Sequence, residues 1–319
     1  MSETNTNEAG WERKVIEQIA MEGLRENRRK RRWSIFFRAL GFIYFGFVIA
    51  MLWRGSSDDG AGAHGDGKTH TAVVRLEGVI GPSNDVKAEE VNQALRAAFE
   101  AKNSKAVVLR INSPGGSPVQ AGMINDEIRR LRAKYPEKPV YAVVEDVCAS
   151  GGYYIAVAAD KIFVDKASIV GSIGVRMDGF GFTGTMEKLG VERRSLTAGD
   201  NKAFLDPFLP QNPKQVEFAK TMLGEIHQQF IDVVRQGRGK RLKETPEMFS
   251  GLFWTGSKSI EMGLADGYGT VDSVARDIIK AEDVRDYTKH DNVAERLAKR
   301  FGASMSASIM EELGRISVR

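Results

Sequence analysis

The sequence predicts an α/β domain with a mainly parallel sheet, preceded by an N-terminal transmembrane helix. Strand-like and helix-like segments alternate from Thr71 onward, as in parallel sheets with crossover helices. AVVLRI (Ala106 to Ile111) is a continuous apolar run, the pattern of a strand buried on both faces. Residues 35–53, IFFRALGFIYFGFVIAMLW, are apolar apart from Arg38 and follow five consecutive basic residues, Arg28 to Arg32.

The apolar stretch reads as an uncleaved anchor. Its uninterrupted part, Ala39 to Trp53, falls short of the roughly 20 residues a spanning helix needs. Arg38 can extend it by snorkelling towards headgroups, and Trp33 and Trp53 stand at the interfacial ends. A cleavable signal peptide fits poorly, because more than thirty residues precede the stretch and no A-x-A-like site comes after it. The basic run keeps the N-terminus in the cytoplasm, so the chain beyond Trp53 lies across the membrane, in the periplasm of a Gram-negative cell. Within the N-terminal segment, residues 10–27 show a weak helical period.

GSSDDGAGAHGDG (Gly55 to Gly67) is a flexible polar linker. TAVVRLEGVI then reads as a strand, and Val91, Ala94, Leu95, Ala98 and Phe99 follow helical spacing. After AVVLRI and NSPGGS comes a second amphipathic helix bearing Val119, Met123, Ile124, Ile128 and Leu131. PVYAVVE is the next strand, CASGGYYIAVAAD a turn into a short apolar helix, and KIFVD a further strand. Pro213 to Gln236 predicts a long amphipathic helix stopped at GRG, and SKSIEMGLADGYGTVDSVARDII a helix, turn and helix. Beyond about Asp283 the pattern fades into a charged tail. The segments are therefore 1–34 cytoplasmic, 35–53 anchor, 54–70 linker, 71–282 folded domain and 283–319 tail.

Net charge is +4, and outside the basic run the signs alternate as on a solvated surface, so no nucleic-acid partner is expected. Cys148 is the single cysteine, which rules out an intramolecular disulfide and a cysteine zinc site.

Ser150 opens a helix directly after a buried strand, where α/β proteins place their sites. Its common alternative role is an N-cap. S-P-G-G-S (Ser113 to Ser117) supplies a second glycine turn whose amides could bind an oxyanion. Of four histidines only His227 is a plausible base, and its neighbours Ile226 and Phe230 suggest a packed helix residue, so a Ser-His-Asp triad is not expected. A lysine can serve if it is held neutral by removal from water. Lys202, after a strand-like segment and flanked by Ala203, Phe204 and Leu205, is the candidate.

I-N-S-P-G-G-S, A-S-G-G-Y-Y-I-A-V-A-A-D-K-I, G-S-I-G-V, A-G-D-N-K, and G-R-G followed by A-D-G-Y-G occur in one order. On these motifs the chain from about Val73 to Ile278 resembles the signal peptide peptidase A family, the S49 serine peptidases of ClpP/crotonase-like fold. The resemblance implies Ser150 as nucleophile, Lys202 as general base, Ser172 as the serine that orients the lysine amine, and Gly116 with Gly151 as oxyanion hole; Gly115 is the other candidate in that turn. It implies no metal or cofactor, remnant signal peptides as substrates, and a short single-repeat form assembling into an octameric ring whose serine and lysine come from neighbouring subunits. Many relatives carry an aspartate where this chain has Ala203. The alternatives weighed are a same-fold protease of membrane-protein quality control, an acyl-CoA enzyme of that fold, and a non-catalytic scaffold. Cys148, two residues before Ser150, reads as a buried small residue.

Overall fold

The structure, a computed structural model, describes residue 21 and residues 31–33, 35–47 and 67–289. Residues 35–47 are helical, with Phe42 and Ile43 at 78% and 68% exposure. Among the described residues no helix is long and apolar enough to cross a membrane. The remainder of the expected anchor, residues 48–53, lies outside the described residues. So do almost all of the N-terminal segment, the linker through residue 66 and the tail from 290 onward.

The sheet and its helices occupy one compact unit, His64–Lys289. Its elements run β1 (His70–Glu77), α1 (Ala88–Glu100), β2 (Ser104–Ser113), α2 (Pro118–Lys134), β3 (Val140–Ala149), α3 (Gly151–Ala156), β4 (Lys161–Val164) and β5 (Ile169–Gly171). They continue with α4 (Thr183–Leu189), α5 (Pro213–Arg238), β6 (Phe253–Thr255), α6 (Gly256–Glu261), β7 (Gly267–Tyr268), α7 (Val271–Ser273) and β8 (Val284–Asp286). The order across the sheet is β6-β5-β3-β2-β1-β8, with β4 pairing β3 and β7. Each pairing is parallel except β5 with β6. The expectation of an α/β domain with a mainly parallel sheet is met.

The central strands are apolar because both faces are covered. Leu109 and Ile111 join the main core with Leu76, Ile124 and Ile128, while Val73, Val108 and Val143 pack with Phe163 and Val274 on the opposite side. Helix α1 buries all five residues of its predicted stripe, Val91, Ala94, Leu95, Ala98 and Phe99. Helix α2 departs from its stripe. Ile124, Ile128 and Leu131 are buried, but Val119 and Met123 are exposed, because the first turns of α2 border a cavity rather than the core.

Helix starts follow their sequence signals. The Ser117 side chain accepts from the Gln120 amide with Pro118 behind it, and Asn212 accepts from Lys214 with Pro213 behind it. Helix α5 ends where Gly239 turns to φ 53°. Gly237, two residues earlier, lets α5 approach closely, since a Cβ there would fall 2.2 Å from the Val157 carbonyl oxygen. The sequence missed α4 and the short strands β5, β6 and β8, and the turn expected within SKSIEMGLADGYGTVDSVARDII contains the two-residue strand β7, paired with β4. Strand β8 pairs with β1 beyond the point where the sequence pattern fades.

Candidate active site

Ser150 follows β3 and precedes α3, and its backbone has positive φ, at φ 50°, ψ −121°. Serine rarely adopts that conformation, which costs of the order of 1–3 kcal/mol and clusters where function demands it. Its side chain makes no capping hydrogen bond. The N-cap alternative therefore fails for Ser150, although it holds for Ser117. A sharp strand-to-helix turn of this kind presents the hydroxyl at the sheet's carboxyl edge.

The Gly115–Gly116 turn closes against this serine. A Cβ on Gly115 would meet the Ser150 Cβ and the Gly151 amide nitrogen, each at 2.7 Å, and one on Gly116 would meet the Ile80 carbonyl oxygen at 2.0 Å. With φ of 99° and 150°, both positions require glycine. The Gly115 amide is already committed, donating to Ser113 Oγ at 3.2 Å. Among the described residues the Gly116 and Gly151 amides donate to no protein acceptor. They are close to one another, because a Cβ on Gly151 would stand 3.3 Å from the Gly116 nitrogen. Two open amides beside a serine have the chemistry to hold a developing oxyanion, and of the two glycines in the turn it is Gly116 whose amide is uncommitted.

Ser172 follows β5, also at positive φ, 51°. Its amide donates to the Leu252 carbonyl at 2.8 Å. Ser150, Ser172, Gly116 and Gly151 line one cavity of about 1160 Å³. Val79, Val119, Met123, Tyr154 and Phe230 supply apolar wall, and Asp126, Arg176 and Asp178 supply charge.

Lys202 is not brought into this cavity by its own chain. It is exposed in a run of turns at 200–205, and the segment before it, 191–198, has no regular structure rather than the expected strand. Its residues, VERRSLTA, include three consecutive charged side chains, which leave few apolar positions to pair into a sheet. The run is tied to the start of α5: the Leu205 amide donates to Gln215 at 3.1 Å, and Phe204 packs edge-on to Phe218 at 5.8 Å. The cavity touches α5 at Ile226, Gln229 and Phe230. At 1.5 Å rise per residue these attachments are separated by roughly 12–22 Å along the helix.

His227 is half-buried, and its Nε2 lies 3.1 Å from the Ile173 carbonyl oxygen. A carbonyl only accepts, so this nitrogen carries its hydrogen and offers no lone pair to a serine. Cys148 is fully buried, and burial pushes its thiol up, away from the reactive thiolate. Among the described residues no group of three or more His, Cys, Asp or Glu side chains is arranged to hold a metal ion.

The G-R-G and A-D-G-Y-G motifs meet behind the site. Arg238, 1% exposed, donates to both carboxylate oxygens of Asp266 at 2.8 and 2.9 Å and to the Gly263 carbonyl. Burial alone would raise the Asp266 carboxyl, but the hydrogen bonds and charge of Arg238 hold it below its ordinary range. Next to them, Tyr153 of α3 donates to the Leu264 carbonyl at 2.8 Å. The motif pair therefore braces the helix that follows Ser150, a role the sequence did not disclose.

The family model described as Peptidase family S49 matches residues 132–285. A Synechocystis sp. protein carrying a provisional protease name is 30% identical over 202 residues, covering 63% of this chain and 71% of that protein. The chain belongs to peptidase family S49. Ser150, Ser172 and Lys202 all fall within the matched residues. A Brucella melitensis protein named as a Na(+)/H(+) antiporter is 46% identical to this S49 chain over 214 residues, covering 66% of it and 29% of the Brucella protein. An Arabidopsis thaliana protein named as a chloroplastic serine protease is 31% identical over 212 residues, covering 64% of this chain and 31% of its own length. The S49 chain thus spans less than a third of either protein.

Proposed function

We propose that this S49 chain is a membrane-anchored serine endopeptidase in which Ser150 attacks a peptide carbonyl and Lys202 of a neighbouring subunit takes its proton. The observation that carries the reading is the pairing of an uncapped, positive-φ Ser150 with two open amides, those of Gly116 and Gly151.

In the first step a bond forms between Ser150 Oγ and the carbonyl carbon while the hydroxyl proton moves to the Lys202 amine. The two amides hold the oxyanion, a task in which one donor is worth about 3–4 kcal/mol. Collapse expels the leaving amine, which takes the proton from Lys202. Water then gives a proton to the same amine and attacks the acyl carbon; collapse breaks the bond to Ser150 Oγ, which takes that proton back from Lys202 as the acid product leaves. Ser172 orients the lysine. The residues present account for each step without a metal or organic cofactor.

Assembly is part of the reading. Phe180, Leu189 and Leu196, on the stretch that leads to Lys202, are exposed by 81%, 71% and 102%. A neighbouring subunit, in a ring such as the family's octamer, would cover these apolar side chains and bring a lysine to each serine. The apolar wall suits extended apolar peptides, which gain about 25 cal/mol per Å² buried. Remnant signal peptides in or at the cytoplasmic membrane are the proposed substrates. The N-terminus is cytoplasmic and the catalytic unit periplasmic, held to lipid by residues 35–53.

A second reading, proteolysis in membrane-protein quality control, is favoured by the Brucella relative, whose S49-like part shares a chain with a sodium–proton antiporter by name. The experiment is labelling by a serine-reactive probe together with cleavage of apolar signal peptides and of an unfolded membrane protein. The reading expects labelling lost in Ser150→Ala and faster turnover of the signal peptides. Labelling that persists in Ser150→Ala would remove the nucleophile from the proposal.

A further inference from the structure

We infer that Ser113 is a positioning residue for the reaction, its hydroxyl deciding which glycine amide of the Gly115–Gly116 turn faces the reacting carbonyl. The inference rests on the reading of Ser150 as nucleophile and Gly116 as oxyanion donor.

Ser113 ends β2 and is completely buried. A register shift between Ile111 and Ser113 in the pairing with β3 marks an irregularity of the kind that re-aims a side chain near a site. Its single hydroxyl is used twice. It donates to the Gly78 carbonyl at 2.6 Å and accepts from the Gly115 amide at 3.2 Å. The turn is clamped on its other side by Ile80, whose amide donates to the Gly115 carbonyl at 2.9 Å and whose carbonyl accepts from Ser117 at 2.8 Å. Gly115 is thus held at both its amide and its carbonyl, and the Gly116 amide remains the turn's open donor.

Glycine pairs are conformationally permissive, so the turn's chemistry alone does not fix this orientation. Remove the hydroxyl, and both the Gly78 carbonyl and the Gly115 amide lose a buried partner. The Gly115 amide then competes to face the cavity and the Gly116 amide rotates away from the oxyanion. The consequence is specific: binding of the uncleaved peptide is untouched, and stabilisation of the tetrahedral state is lost.

The test compares Ser113→Ala, Ser113→Thr and Ser113→Cys in the full-length protein. The readouts are kcat and KM on an apolar peptide and the affinity of a peptidyl boronate, whose tetrahedral adduct puts an oxygen at the oxyanion position. Ser113→Ala is expected to lower kcat about 100-fold with KM unchanged, the scale of losing one oxyanion donor, and to weaken the boronate in parallel. Ser113→Thr, which keeps the hydroxyl, should restore both. If the alanine variant fails to fold, Ser113→Cys serves, its weaker thiol lowering kcat and boronate affinity together. Wild-type kcat in the alanine or cysteine variant, or a loss of kcat with full boronate affinity, would overturn the assignment. Peptide cleavage that survives Ser150→Ala would instead sink the underlying reading of the site.

Discussion

Ser150 and Ser172 each sit one residue beyond the register pair Ala149 and Gly171 on adjacent parallel strands, and both have positive φ, 50° and 51°. The Ser150 amide donates to the Gly171 carbonyl at 2.8 Å, which locks the two strand ends together. Two strained serines at neighbouring strand ends argue for a shared task, because strain of this kind persists only where surrounding structure imposes it.

Relief of that strain is measurable. Ser150→Gly should abolish peptide cleavage while raising stability by about 1 kcal/mol, since glycine adopts positive φ without the penalty a serine carries. Thermal unfolding of the full-length protein together with activity checks this. A lowered melting temperature would mean the serine side chain stabilises the turn rather than straining it.

The Gly115–Gly116 turn has no room for a methyl group. Gly116→Ala would place a Cβ 2.0 Å from the Ile80 carbonyl oxygen, so the turn must move. Cleavage should fall by at least about 100-fold, the loss expected when one donor leaves its place. Steady-state kinetics on an apolar peptide decides it.

The brace behind the site should be costly to break on one side. Asp266→Ala leaves the Arg238 guanidinium, 1% exposed, without its carboxylate. Removing one partner of a buried pair typically costs about 3–5 kcal/mol, and chemical denaturation should show a loss of that size. A change below about 1 kcal/mol would mean water or another acceptor replaces the carboxylate.

Acid sensitivity should trace in part to Glu127. Hydrogen bonds from Arg130, with those from Arg96, outweigh burial and hold its carboxyl at about 2, against an ordinary 4.5. A depressed carboxyl stabilises the fold above its unfolded value, and that stability is lost as pH falls through its folded value. Between about pH 4.5 and pH 2 the melting temperature of the wild type should therefore fall more steeply than that of Glu127→Gln. Parallel curves would show that the Arg96–Glu127–Arg130 cluster is energetically neutral.

Sequence periodicity revealed the elements that own their environment. The α1 stripe and the doubly buried β2 are written in local apolar spacing, and the Pro and Gly stops of α5 in local backbone chemistry. Helix α2 was legible only in part, because Val119 and Met123 carry the periodicity of core residues while facing a cavity. Strands β5, β6 and β8 span three residues each, too short for a period-2 pattern to register. Ser150 and the glycine turn stood out as strand-to-helix motifs. The Arg238–Asp266 brace did not, since 28 residues separate partners that only the tertiary fold unites. Lys202 was placed by resemblance, and its surroundings within one chain are open, so its proposed chemistry depends on a second subunit that no local pattern encodes.

Mixing two inactive variants tests that dependence most directly. Ser150→Ala and Lys202→Ala should each be inactive on an apolar peptide when expressed alone. Co-assembled, an intact serine from one subunit meets an intact lysine from its neighbour, and a fraction of wild-type cleavage should return. Two variants that stay inactive in a verified mixed assembly, or a Lys202→Ala protein that cleaves at the wild-type rate, would contradict the shared Ser150–Lys202 site.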